Sequence, residues 1–288
     1  MGLYTSSIKW LILMKKTYGI SFDKTLTLGR QYCSVAELKK CITQLKKIER
    51  KGDGRISEKD ASIIYSQDGY ADNALRYIGA RVLDFMDYSN YESANIIHDM
   101  NRPISQEIMN SYDVVIDGGT MEHVFNYPQA ISNAMNLVKP GGFLFIIVPT
   151  NGWCGHGFYQ CSPCVFLDIL TKENGFELKS IYLHEVETLG RDRVLKLVNH
   201  HGNIFTRGRG LLYVTAQKIG RCPDHIVVQQ GDYVAKWESN HNKFENRLIG
   251  VREYLKSFPF ITMAFSRLRY FLQKMSTISI DDELMRLL

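Results

Sequence analysis

A short segment of the chain holds the side chains that are best suited to proton transfer. Asp117 and His123 fall within the stretch DGGTMEH, where Gly118 and Gly119 leave the backbone bare beside the acid. An imidazole titrates near neutrality, so it can accept a proton from a nucleophile at physiological pH. We therefore expect chemistry at this segment, with His123 as a candidate base.

A second segment, NGWCGHGFYQ at residues 151–160, is rich in glycine, aromatic and polar side chains. Small residues leave room for a cleft, and loops on a rigid scaffold often carry function. His156 is the second candidate base, and Tyr159 is a candidate for orienting an acceptor. Both histidines also have a structural interpretation, in which they only hold their own loops in place.

The elements around these segments form a strand–helix–strand unit. Residues 114–116 are apolar and β-branched and are followed by glycines, as expected for a buried strand. Pro128 suits the first turn of a helix, residues 139–142 (KPGG) end that helix, and residues 143–148 form a second apolar run. This order predicts parallel strands, whose ligands bind beyond their carboxyl ends.

The remaining elements follow the same pattern, so the predicted fold is an α/β, Rossmann-like, doubly wound and mostly parallel seven-stranded sheet. Residues 1–220 are assigned to this domain, with 1–20 as its N-terminal helix, and residues 221–288 to a helical C-terminal extension. Apolar runs predict the other five strands at residues 25–28, 81–86, 95–97, 176–184 and 211–218. Periodicity, caps and glycine stops predict further helices at residues 6–18, 34–48, 70–78 and 162–174.

Several of these motifs resemble those of a known family. Glu122-His123-Val124, then a helix, then Leu-Val-Lys-Pro-Gly-Gly at residues 137–142 and a hydrophobic strand resemble the second half of a class I S-adenosylmethionine-dependent methyltransferase. Leu-Gly-Arg-Gln at residues 28–31 and Gly-His-Gly-Phe-Tyr-Gln at residues 155–160 resemble a subset of that family. The resemblance implies S-adenosyl-L-methionine as the cofactor.

The resemblance also implies where the cofactor binds, with one departure in the first loop. Members of the family carry a glycine-rich loop after the first strand, under the carboxypropyl and ribose groups of the cofactor. This chain keeps only Gly29 there. We expect Arg30 and Gln31 to replace the missing glycines by side-chain hydrogen bonds, with the arginine pairing with the methionine carboxylate.

Later strand ends supply the other cofactor contacts that the resemblance implies. Asp87, with Tyr88 beside it, is expected to accept the ribose hydroxyls. Asp99 is expected to contact the adenine amino group, with Met100 packed on the purine. The last predicted contacts lie at the end of the central strand and are Asp117, Gly118 and Gly119.

The leading functional hypothesis is methyl transfer to an oxygen or nitrogen nucleophile of a small molecule or glycan. The alternative is a methyltransferase-like binding protein without turnover, which the reduced glycine loop favours. Lys and Arg outnumber Asp and Glu in residues 191–288, which permits an anionic partner but is explained as well by a solvated helical surface. The sequence shows no groove of aromatic and basic residues, so no nucleic acid is expected.

The composition fits a globular domain, with 45% hydrophobic and 23% charged residues. No stretch approaches the roughly 20 apolar residues of a membrane span, and no secretory signal is evident. The six cysteines are then expected to stay reduced, and the protein to be cytoplasmic. Apolar residues at 258–265 and 268–272 predict packing on the body, on a second subunit in a homo-oligomer, or on a membrane surface.

Two segments resemble metal-binding patterns, and the prediction is that the chain holds no metal. Residues 162–163 (SP) favour a helix start, and the helix would turn the Cys164 side chain inward. Residues 53–56 resemble the middle of a calcium loop but lack the early oxygen ligands. The alternative left open is a zinc site of four soft donors, Cys154, His156, Cys161 and Cys164.

Overall fold

The computed structural model describes residues 2–33, 68–186, 193–197, 204, 206, 208–224, 226, 228–231, 233–234 and 278–280. The predicted helix at 34–48, the calcium-like pattern at 53–56 and the apolar residues at 258–272 lie outside these ranges. The helices are α1 (Thr5–Tyr18), α2 (Asp72–Ile78), α3 (Tyr127–Leu137) and α4 (Pro163–Ile169). The strands are β1 (Lys24–Leu28), β2 (Val82–Asp87), β3 (Ile96–Ile97), β4 (Tyr112–Asp117), β5 (Val138–Asn151), β6 (Phe176–Val186), β7 (Arg193–Leu197), β8 (Arg209–Lys218) and β9 (Ile278–Ile280).

The strands form one sheet in the order β3-β2-β1-β4-β5-β8-β6-β7-β9. The pairs from β3 to β5 are parallel, whereas β5–β8, β8–β6, β6–β7 and β7–β9 are antiparallel. All seven predicted strands are present. The prediction of a mostly parallel seven-stranded sheet was wrong, because the described residues form nine strands and half of the neighbouring pairs are antiparallel.

The two additional strands extend the sheet at the edge beyond β6. No strand is predicted at residues 193–197, but Val194, Leu195 and Leu197 are buried and the segment pairs with β6. β9 pairs with β7 and falls within the predicted helical extension, so a strand replaces a helix at those three residues. β9 depends on a partner far along the chain, whereas β7 pairs with the strand just before it, and local periodicity reveals neither pairing.

One predicted helix is confirmed and another is shorter than predicted. The helix predicted at residues 6–18 is confirmed as α1, which ends at Tyr18. The helix predicted to run to residue 174 ends as α4 at Ile169, because Asn174 Nδ2 donates to the Ile169 carbonyl and the chain turns there. Ser162 Oγ accepts from the Cys164 backbone at the start of α4, as the capping pattern indicated.

Helices cover both faces of the sheet, as in a doubly wound fold. On one face, α1 places Trp10 against Phe145 and Tyr213, with ring centroids 5.2 and 5.1 Å apart. On the other face, α3 and α4 bury Ile131 and Phe166. Each fully buried large apolar side chain contributes roughly 1.5–3 kcal/mol, so the two layers hold the strands rigidly.

The parallel strands end together at one edge of the sheet. Leu28 of β1 is in register with Met86 of β2 and with Asp117 of β4, and Asp117 is in register with Ile146 of β5. The segments that follow β1, β2 and β4 therefore meet at this carboxyl edge, where ligands of such sheets bind. No helix in the described part of the chain is long and apolar enough to cross a membrane.

Candidate active site at the carboxyl edge of the sheet

Gly29 forms a tight turn that ties the ends of three strands together. Its φ is +69°, a conformation that side-chain-bearing residues rarely adopt. Its N–H donates to the Met86 carbonyl of β2 at 2.7 Å, and Thr120 Oγ1 donates to the Leu28 carbonyl at 2.7 Å. The backbone after β1 is thus held beside β2 and the segment after β4.

Asp87 faces this turn, whereas Asp84 does not. Asp87 Oδ1 accepts from the Tyr88 backbone at 2.6 Å, and its Oδ2 lies 3.7 Å from where a Cβ on Gly29 would stand. Asp84 accepts from Asn95 Nδ2 at 2.6 Å and from the Tyr112 hydroxyl at 2.9 Å, one bond to each carboxylate oxygen. Asp87 is therefore the acid of β2 whose carboxylate faces the Gly29 turn at the carboxyl edge.

Arg30 is engaged by acids of its own chain. Its guanidinium pairs with Asp72 at 2.7 Å and with Asp68 at 2.8 Å, and it stacks over the Tyr70 ring at 4.0 Å. The hydrogen bonds to Asp72 raise the pKa of the guanidinium, so it stays charged. Its charge is balanced by two carboxylates, and its expected pairing with the methionine carboxylate stays a prediction.

Gln31 packs between the first loop and the end of β4. Its side chain is buried, and Nε2 donates to the Leu28 carbonyl at 2.6 Å and the Gly29 carbonyl at 3.2 Å. A methyl group added at Gly118 would overlap Gln31 Oε1. Gly118 is therefore needed for the contact between the two loops, and the Gln31 donor is used within the protein.

The predicted adenine contacts lie further along the same edge. Asp99 Oδ1 accepts from the Asn101 backbone at 3.0 Å and from Asn101 Nδ2 at 2.8 Å, and these bonds lower the pKa of Asp99. Met100 is buried in the core, where Asn133 Nδ2 donates to its carbonyl at 3.2 Å. Little of the Met100 side chain is left to contact a purine, while Tyr88 is 75% exposed beside Asp87.

Two carboxyl groups are buried at the end of β4. Asp117 Oδ1 accepts from the backbones of Thr120 at 2.8 Å and Met121 at 3.3 Å, but Oδ2 has no hydrogen-bond partner among the described residues. Glu122 is 0% exposed, and neither of its oxygens has such a partner. Burial raises the pKa of both groups, and the charge of Asp117 raises that of Glu122 further.

His123 and His156 both approach Glu122. Their Nε2 atoms lie 3.8 and 3.9 Å from Glu122 Oε1, and their ring centroids are 5.0 Å apart. The turn Met121–His123 supplies the first ring, and the segment after β5 supplies the second. Burial lowers the pKa of each imidazole. The structure thus brings the two candidate bases together over a buried acid.

The backbone of Glu122 fixes the loop that carries His156 to the turn Met121–His123. Its carbonyl accepts from the backbones of Phe158 at 2.9 Å and Tyr159 at 3.2 Å. A Cβ on Gly157 would stand 3.0 Å from that carbonyl and 3.2 Å from His123 Nδ1. Tyr159 donates its hydroxyl to the Phe125 carbonyl at 2.6 Å, so its proposed acceptor-orienting role stays a prediction.

The cysteines do not join His156. Among the described residues, the group of potential metal ligands that lies close together is Glu122, His123 and His156, with donor atoms within 4.8 Å of one another. Cys161 is buried beside Tyr127, and burial raises the pKa of its thiol to about 11. The structure therefore does not bring Cys154, His156, Cys161 and Cys164 together into the zinc site that their spacing allowed.

Glu122 is the residue that sequence reasoning left out of the site. It was part of the Glu-His-Val motif, but nothing local distinguished a buried glutamate from a surface one. A useful signal was available in Gly157, whose lack of a side chain permits the close approach of the second loop to the Glu122 carbonyl.

Comparisons with known proteins give no close relative. No protein-family model matches the chain, and no curated protein matches it. Solved structures with similar folds include the trans-methyltransferase CalH in complex with SAH, at 15% identity and a TM-score of 0.36, covering 74% of this chain and 57% of that one. A branched-chain polyamine synthase from Thermus thermophilus has 9% identity and a TM-score of 0.40, with 77% and 58% coverage.

A third similar structure is the 1,6-didemethyltoxoflavin-N1-methyltransferase of Burkholderia thailandensis, at 13% identity, a TM-score of 0.37 and coverage of 73% and 77%. The chain thus spans less than three fifths of the length of the first two proteins. Similarities with TM-scores this low identify neither site residues nor an activity in the present chain.

Proposed function

We propose that this chain binds S-adenosyl-L-methionine and transfers its methyl group to an oxygen or nitrogen nucleophile of a small molecule or glycan. The observation that carries the proposal is the meeting of Gly29, Asp87 and the segment after Asp117 at the carboxyl edge of three adjacent parallel strands. The antiparallel β8 beside β5 agrees with the sheet of the family that the sequence motifs resemble.

The residues of the first loop and of β2 fit the nucleoside part of this cofactor. A carboxylate can accept hydrogen bonds from both hydroxyls of a ribose, and Asp87 Oδ2 faces the Gly29 turn with no internal bond described for it. The bare backbone at Gly29 allows a ligand to approach closely. We assign the ribose to Asp87 and the adenine to the neighbourhood of Asp99.

The acceptor side of the site consists of His123, His156 and Tyr159. When bound, S-adenosylmethionine supplies an activated methyl group on a positively charged sulfur. The chain has to align the nucleophile with that methyl group and take up its proton. His123 is 42% exposed at the mouth of the site and His156 lies beside it, so either ring can reach an acceptor that enters there.

A binding protein without turnover is the second candidate, and two observations favour it. The positive charge of Arg30 is balanced by Asp68 and Asp72, and the amide of Gln31 is packed against Gly118. Arg30 therefore has no unpaired positive charge with which to bind the carboxylate in the methionine part of the cofactor. Cofactor binding without methyl release from any acceptor would support this candidate.

Calorimetry with S-adenosylhomocysteine tests the cofactor site. We expect Asp87→Asn to weaken binding roughly 10- to 150-fold, because a hydrogen bond to a charged group contributes about 1.5–3 kcal/mol. Asp84→Asn is the matched control on the same strand, since its oxygens hold Asn95 and Tyr112. It should lower the melting temperature and leave affinity intact.

A methyl-release assay against small hydroxyl and amine acceptors then separates the two candidates. Wild-type affinity in the Asp87→Asn protein would remove the ribose assignment. The absence of any detectable cofactor binding to the wild-type chain would reject both candidates together.

A further inference from the structure

We propose that Glu122, His123 and His156 form a binding site for a divalent transition-metal ion at the mouth of the cleft. The inference concerns the binding of an ion and does not rest on methyl transfer, because it follows from donor atoms that stand together whatever reaction the chain performs. It is supported by the distances between the donor atoms, by buried polar atoms without hydrogen-bond partners, and by the hydrogen bonds that join the two segments.

The donor atoms are close enough for one ion. Glu122 Oε1 lies 3.8 Å from His123 Nε2 and 3.9 Å from His156 Nε2, and the donors of all three residues lie within 4.8 Å of one another. An ion bound at about 2.1 Å in tetrahedral geometry separates its ligand atoms by about 3.4 Å. The two glutamate–histidine distances need to shorten by only about half an ångström.

The second observation is a buried carboxylate without a partner. Glu122 is 0% exposed, and both of its oxygens lack a hydrogen-bond partner within the described ranges. The Nε2 atom of His156 is likewise buried with no hydrogen-bond partner there. Buried charges in proteins are normally paired or coordinate a metal. An ion between these atoms would satisfy the acid and the imidazole at once.

The third observation is that the ligands come from two segments that are locked together. Glu122 and His123 are adjacent in one short turn, and the Glu122 carbonyl accepts from Phe158 and Tyr159 of the loop that carries His156. The Trp153 ring packs on the His156 ring with centroids 5.4 Å apart. The donors are therefore positioned before any ion arrives, which lowers the cost of binding.

The donor set indicates the kind of ion. Two imidazoles and one carboxylate suit zinc, iron(II), cobalt(II) or nickel(II), whereas magnesium and calcium prefer oxygen ligands. Three protein ligands leave a coordination position open, as in catalytic rather than structural zinc sites. That position would face the mouth, where His123 is 42% exposed, and would take water or an acceptor oxygen. With the ion bound, the coordinating nitrogens would no longer serve as free bases.

Metal binding is tested on the full chain, without cofactor, after removal of metals with a chelator. Titration with zinc by calorimetry and with cobalt(II) by its visible absorption should give one equivalent per chain. Glu122→Gln and His156→Ala should each weaken binding on the order of 100-fold or more. Glu122→Gln removes the carboxyl group and keeps the shape of the side chain, so the variant is expected to fold.

Cys164→Ser is the matched control, because it removes one donor of the alternative cysteine site. It should bind zinc and cobalt like the wild type. Loss of binding in Cys164→Ser with retention in Glu122→Gln would overturn the proposal in favour of the cysteines. Binding well below one equivalent, equal in wild type and Glu122→Gln, would also overturn it. Neither result bears on cofactor affinity, so a failure here is distinct from a failure of the proposed methyl transfer.

Discussion

The two sides of the site differ in how completely their polar atoms are satisfied. Around β1 and β2, Arg30 is held by two acids and the Gln31 donor by two carbonyls. Around the end of β4, Glu122 has no hydrogen-bond partner for either oxygen in the described structure, and His156 has none for Nε2. The first side has one such atom in Gln31 Oε1, whereas the second side concentrates three of them where His156 meets Glu122.

The largest effect that tests this difference is expected at His156. His156→Ala should lower turnover about 10²- to 10⁴-fold, the range typical of a lost acid–base group, while cofactor affinity stays near that of the wild type. The expectation holds whether the imidazole accepts a proton from the acceptor or binds an ion that contacts the acceptor, since neither role involves binding of the cofactor. Single-turnover kinetics and calorimetry on the same preparation provide the measurement.

Tyr159→Phe is the comparison variant for His156, because it removes a hydroxyl that already donates to the Phe125 carbonyl. A smaller loss of turnover is expected there. Wild-type turnover in His156→Ala would place all of the acceptor chemistry on the opposite segment, at His123.

On the side of β1 and β2, Arg30→Met should produce a smaller effect, and one that is selective for ligands with a carboxylate. If the guanidinium holds the methionine carboxylate in addition to Asp72, affinity for S-adenosylhomocysteine should fall roughly 10- to 100-fold, because that hydrogen bond is charge-assisted. Affinity for adenosine, which lacks the carboxylate, should not change. Equal losses for both ligands would assign Arg30 to the internal ion pairs alone.

Packing between the two sides is tested at Gly118. Gly118→Ala forces Gln31 out of its buried position, and we expect a loss of about 1–3 kcal/mol in the free energy of unfolding. Replacing Gln31 with Ala in the same chain should recover part of that loss, because the overlap is removed. Denaturant unfolding of the two single variants and the double variant measures the coupling.

The smallest expected effect is a gain in stability from Asp117→Asn. Burial raises the pKa of Asp117 from 3.8 to about 6, so the folded state binds this proton more tightly than the unfolded state does. The stabilisation is full below about pH 4 and is lost as the pH rises to about 6. Near pH 8 the asparagine variant, whose Oδ1 can still accept from Thr120, should be more stable by about 1 kcal/mol.

Melting temperatures of Asp117→Asn and wild type across this pH range check the sign. The difference between them should shrink as the pH falls from about 6 towards 4. A difference that grows at acidic pH would show that the carboxylate is stabilised in its charged form.

The central unit of the fold was predictable because its signals are local. Apolar runs, Pro128 and the glycines at 141–142 mark β4, α3 and β5 without any knowledge of distant contacts. β7 was missed because RVLKL is short and charged at its start, and its burial comes from pairing with β6. Tertiary pairing overrides weak local propensity in such strands.

The sequence indicated candidate site residues but not the internal hydrogen bonds and ion pairs that hold them. Asp87 could be preferred over Asp84 by its place at a strand end, and the structure shows Asp84 bonded internally. The ion pair of Arg30 with Asp72 spans 42 residues of sequence and had no local sign. Glu122 was passed over because burial of a single glutamate is a property of the assembled loops.

The position of β8 has a consequence for the order in which this chain can fold. β8 lies between β5 and β6, yet it is made after both of them and after β7. On the ribosome, β1 to β5 can pair as they emerge, while β6 and β7 must wait for residues 209–218 before they join the sheet. Such long-range pairing slows folding and leaves strand edges exposed. We therefore expect the half of the sheet from β3 to β5 to form first, and truncation before β8 to yield an aggregation-prone intermediate.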